Sequence, residues 1–115
     1  MRTLGFTVSI VLAVILLAAF YSGPAAGQAK LDGKAIFLAQ KCNMCHSVST
    51  AAIEATTKSE KMKGPDLVNL KQDAKALTDY LMKKSDLNGK KHTKGFTGSE
   101  EELKALIAWM LEQKK

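Results

Sequence analysis

Cys42-Asn43-Met44-Cys45-His46 sets two thiols three positions apart, with an imidazole directly after the second. Thiols at that spacing lie on one side of a helical turn, where both can add to the two vinyl groups of one porphyrin. The imidazole next in line then falls beneath the ring, where it can bind the iron. The spacing is the attachment signature of c-type haem. Part of it is shared with other chemistries, since Cys-x-x-Cys alone is also a thiol-disulfide motif or half of a zinc site. Zinc needs two further ligands, and the chain offers one further histidine, His92, and no further cysteine. A redox dithiol does not require a histidine after its second cysteine. The motif therefore predicts one covalently bound haem c with its iron, and a haem-free dithiol protein is the rival.

The segment ahead of the motif predicts export. Arg2 supplies a positive charge, Leu4 to Phe20 is apolar except for Gly5, Thr7 and Ser9, and small residues precede Lys30. Residues 1–29 read as a signal peptide cut after Ala29, leaving a domain over 30–115 in the periplasm or another exported setting. The rival is an uncleaved anchor, because roughly seventeen apolar residues approach the length that spans a bilayer. Membrane contact is expected only if that segment is retained. A domain of about 86 residues is thin for an unaided hydrophobic core, and a buried haem would supply apolar interior. Both cysteines belong to the motif, so none is left for a structural disulfide.

Seventeen Lys and Arg against 11 Asp and Glu give a formal charge of +6, which suits either an acidic partner surface or solubility alone. Nothing resembles a nucleic-acid-binding motif.

The elements that must hold the motif read as helices. A first helix is expected over 30–40, with Asp32 as N-cap and Gly33 and Phe37 on one face, running straight into the motif. Residues 48–63 read mostly as loop, with a short turn at 51–55. Gly64-Pro65-Asp66-Leu67 is a turn, either a simple chain reversal or a device that positions the iron-binding histidine. Asp73 to Lys84 predicts a second helix with Ala74, Leu77 and Leu81 on one face and Tyr80 beside it. Residues 86–98, with three glycines and a basic cluster, exclude a regular element. The last helix is marked by a capping box, Ser99 with Glu102, followed by Leu103, Leu106, Ile107, Met110 and Leu111 at helical spacing, with Lys114 and Lys115 closing it. No stretch alternates with period two, so the fold class is all-α, with three to four helices.

Together these features resemble a class I monohaem cytochrome c, a family of small exported electron carriers. The likeness comprises a helix with Gly33 and Phe37, the Cys42–His46 motif, Gly64-Pro65-Asp66-Leu67, a middle helix, a distal loop and a C-terminal helix. It implies that the first and last helices cross near right angles, Gly33 and Phe37 meeting Leu106, Ile107 or Trp109. It also implies that the Pro65 carbonyl holds the His46 imidazole, fixing ring and tautomer. The departure is in the distal loop. Most of the family place a Met before a Phe and the final helix, whereas here no Met lies between Met82 and that helix, and His92 stands near the expected place. The resemblance thus makes His92 the expected distal iron ligand, a role open to neutral imidazole. Met82 is the alternative. Met44 lies inside the motif, Met62 lies on the proximal side, and Met110 lies on the core stripe of the last helix.

The expected function is electron transfer rather than enzymatic catalysis, with redox proteins as partners. Lys83, Lys84, Lys90, Lys91 and Lys94 flank the distal loop and suit an acidic docking surface. A haem sensor or small-ligand binder with a displaceable sixth ligand is the alternative. A peroxidase is disfavoured, because residues 30–115 contain no arginine and no third histidine to serve distal acid–base chemistry.

Overall fold

Asp32 opens the first helix by accepting hydrogen bonds on its carboxylate from the N–H groups of Lys34, at 3.0 Å, and Ala35, at 3.4 Å. Helix α1 accordingly spans Gly33–Ala39, three residues shorter at its start than the apolar pattern suggests. It does not run straight into the motif. Lys41 adopts a left-handed conformation, φ 57°, and turns the chain out of the helix into a separate 3-10 turn over Cys42–Met44. These observations come from a computed structural model, which describes residues 30–115; the expected signal segment, 1–29, lies outside the described residues.

A second 3-10 turn, Ser49–Ala51, is closed by an isolated bridge between Val48 and Ile53, slightly ahead of the turn expected at 51–55. Helix α2 spans Ala74–Leu81 and is capped by Asp73, whose carboxylate accepts from the Ala76 N–H at 2.8 Å. It buries Leu77 and half-buries Tyr80 and Leu81, while Ala74, expected on the same face, is exposed. Helix α3 spans Glu100–Glu112 and begins with the full capping box, Glu102 N–H to Ser99 Oγ at 3.1 Å and Ser99 N–H to Glu102 Oε2 at 2.7 Å. Lys114 and Lys115 lie beyond its end and bond elsewhere, Lys114 Nζ to the Leu70 carbonyl and the Lys115 N–H to Asn69 Oδ1.

The chain is therefore all-α, with three helices and no strand among the described residues. Its core gathers Ile36 and Phe37 from α1, Val48 and Ile53 from the following loop, Leu77 from α2, and Leu103, Leu106, Ile107 and Met110 from α3. Helices α1 and α3 meet where Gly33 lies flat against Trp109 and the Ala105 carbonyl. A Cβ at that glycine would collide with both. One turn later Phe37, fully buried, packs its ring against Trp109 with centroids 5.4 Å apart. This seam fixes the end of α1, and with it the place where the Cys-x-x-Cys-His turn begins.

Candidate haem site

The Cys42 carbonyl accepts the N–H groups of Cys45 and His46, at 3.3 and 3.0 Å, so the motif forms one helical turn. Both thiols are free and half-buried. Burial pushes the Cys42 thiol pKa up, opposed by the nearby Lys94 charge. His46 donates from Nδ1 to the Pro65 carbonyl at 2.9 Å. A carbonyl can only accept, so Nδ1 carries the hydrogen and Nε2 keeps its lone pair for a metal. Burial lowers the His46 pKa; the Pro65 bond opposes this, and the proximity of His92 adds to it. Burial is the leading effect, and it favours a neutral, ligand-competent ring.

The loop that supplies Pro65 is itself bound to the motif. The Gly64 N–H donates to the Cys45 carbonyl at 2.7 Å, and the Leu67 N–H to that of Ser47 at 2.9 Å. Gly64 lies flat on the imidazole, and a Cβ there would strike Cε1 and Nδ1 of His46. Asp66 accepts from the Ser49 N–H at 3.0 Å and the Ser49 hydroxyl at 2.5 Å, with Lys115 Nζ at 3.7 Å. Those Ser49 hydrogen bonds, followed by the Lys115 charge, hold the Asp66 carboxyl below its ordinary value.

The distal loop is more ordered than its glycines suggest. Leu87 and Lys90 exchange two backbone hydrogen bonds, each 3.0 Å, across Asn88 and Gly89, both with positive φ. That is a two-residue reverse turn for which Asn-Gly is the favoured sequence, a signal available in the chain and passed over in reading 86–98 as irregular. Beyond the turn, His92 donates from Nδ1 to the Lys94 carbonyl, which leaves its Nε2 free as well. The Tyr80 ring meets His92 edge-on, with centroids 5.2 Å apart at 69°. The loop then returns through the Phe96 N–H to the Leu81 carbonyl at 3.0 Å, and through Lys94 and Thr97 to Gln40. Sequence reasoning singled out neither Gln40 nor the Tyr80 contact, because neither belongs to a local motif.

These two arms bring the His46 and His92 rings together. Their rings are nearly parallel, 12° apart, with centroids separated by 6.0 Å. That gap suits a single metal ion between two imidazoles, given metal–nitrogen bonds of about 2 Å and a ring radius of about 1 Å on each side. Zinc fits less well: among the described residues, no group of three or more His, Cys, Asp or Glu side chains converges. Met44, Met62 and Met82 are exposed, Met82 as the C-cap of α2, and Met110 is core.

The Cytochrome c family model matches residues 31–114. The chain belongs to the cytochrome c family. This cytochrome therefore binds haem c, with its iron, covalently through cysteine, and Cys42 and Cys45 are its two cysteines. The family assignment makes it a haem-binding electron-transfer protein of a kind that typically carries electrons rather than catalysing reactions. No curated protein and no solved structure matches the chain.

Proposed function

We propose that this cytochrome is an exported electron carrier in which His46 and His92 would both hold the haem iron. The supporting observation is the pair of near-parallel imidazoles 6.0 Å apart, each with Nδ1 bound to a backbone carbonyl and Nε2 open. Haem attached through Cys42 and Cys45 supplies reversible one-electron exchange at its iron. The protein's part is to hold both imidazoles still. Pro65 and Gly64 fix the His46 ring, and the Lys94 carbonyl and Tyr80 ring fix that of His92, so little has to move when an electron arrives. A second imidazole in place of the thioether removes a ligand that raises the potential, so a potential below that of His/Met relatives follows.

Lys83, Lys84, Lys90 and Lys91 are exposed around the distal loop and form a basic rim suited to steering an acidic redox protein. Lys94, expected in the same cluster, instead spends its ammonium on the Gln40 carbonyl. Export rests on the character of residues 1–29, whose Arg2, apolar run and small residues suit a signal peptide. The carrier differs from a ligand-binding sensor in how firmly its sixth ligand is held. Reduced protein should bind carbon monoxide poorly, His92→Ala should bind it readily, and His92→Met should restore six-coordination with a higher potential. Ready binding by the unaltered protein would favour the sensor instead.

A further inference from the structure

Gln40 stands where the two halves of the site meet. It is the C-cap of α1, two residues before Cys42, so its backbone belongs to the turn that leads into the attachment motif. Its carbonyl accepts from Lys94 Nζ at 2.5 Å. Its side-chain Oε1 accepts the Thr97 hydroxyl at 3.1 Å and the Thr97 N–H at 3.4 Å. The Lys94 carbonyl in turn holds the His92 ring through Nδ1. Hydrogen bonds thus run unbroken from the proximal turn, through Gln40 and Lys94, to the distal imidazole. Among the described residues, the hydrogen bonds that tie 91–98 to the rest of the chain go to Leu81 and Gln40.

The loop is otherwise poorly secured. Lys91, Thr93, Lys94 and Thr97 are exposed, and Gly95 and Phe96 are only half-buried. A segment with few buried contacts opens by local fluctuation unless its hydrogen bonds hold it. Gln40 is itself half-buried against solvent competition, and one side-chain oxygen serves both donors of Thr97.

We infer that Gln40 is a positioning residue that clasps the His92 loop to the proximal turn, and so sets how readily the sixth ligand gives way to an external one. This rests on His92 being that ligand. Gln40 touches neither iron nor imidazole; it acts through Thr97, and through Lys94 as the neighbour of His92.

The test uses the full chain with haem attached. Gln40→Ala removes the acceptor for Thr97, Gln40→Glu keeps an acceptor oxygen at that place, and Asp32→Ala destabilises the other end of α1 as a control. Two quantities are read beside the melting temperature: the rate at which the ferrous protein takes up carbon monoxide, and amide hydrogen exchange at Phe96 and Thr97. Gln40→Ala should raise both by about tenfold or more, the scale of two lost hydrogen bonds. Gln40→Glu should stay near the unaltered protein, and Asp32→Ala should lower the melting temperature without raising either. Unchanged uptake and exchange in Gln40→Ala would overturn the clasp, as would an equal rise in Asp32→Ala. Free carbon monoxide binding by the unaltered protein would instead favour the displaceable ligand of a sensor, and a ferric spectrum unchanged by His92→Ala would remove His92 ligation. The clasp then stands if Thr97 exchange quickens in Gln40→Ala and falls if it does not.

Discussion

Asp66 illustrates how a residue outside the candidate site secures one of the two imidazoles proposed to bind the iron. Its carboxylate accepts from the Ser49 backbone and hydroxyl and lies near Lys115, next in sequence to the Pro65 carbonyl that receives His46. The Ser49 bonds and the Lys115 charge lower its folded pKa beneath the ordinary 3.8. A lowered carboxyl pKa contributes stability above the unfolded value and loses it as pH falls through the lower folded value. The group is half-buried at the surface and screened by solvent, so the contribution is small. Urea melts of the unaltered protein and Asp66→Asn should therefore differ near neutral pH and converge below the ordinary carboxyl range. A difference that persists at the most acid pH would assign the effect to packing rather than charge. Gly64, the neighbour on the other side of Pro65, was readable only as part of a turn; that its missing Cβ makes room for the His46 ring is a fact of two segments brought together.

At the scale of elements, the ends of the helices explain which features were legible. The Ser99–Glu102 box and the Asp32 cap are signals confined to three or four residues, so the chain announces them. The terminations are not announced. Helix α2 ends with Lys83 at φ 59°, its N–H bonded to the Tyr80 carbonyl at 3.0 Å and that of Lys84 to Asp79 at 2.8 Å. This is the two-bond closure that usually carries glycine at the left-handed position. A lysine there is invisible to pattern reading, as is Lys41 at the end of α1. Lys83→Gly should relieve the backbone cost and raise stability by about 0.5–1 kcal/mol, measured as a higher midpoint in urea with unchanged slope. A lower midpoint would mean that the lysine side chain, lying near Gly95, matters more than its backbone.

At the scale of the molecule, three short helices frame two long loops, one carrying Pro65 and the other His92. The all-α class follows from spacing, and the α1–α3 seam from the family resemblance that Gly33 and Phe37 help to carry. The convergence of His46 and His92 is likewise expected from that resemblance alone, since contacts such as Gln40 to Thr97 span 57 residues of sequence with no periodic signal. The ferric absorption spectrum of the full chain tests that convergence most directly. Methionine ligation gives a weak sulfur-to-iron charge-transfer band near the red edge of the visible, and two imidazoles give none. Here the band should be absent, the iron low-spin, and the spectrum unchanged by Met82→Ala but converted towards high-spin by His92→Ala. A band that is present and disappears in Met82→Ala, with His92→Ala silent, would contradict ligation by His92.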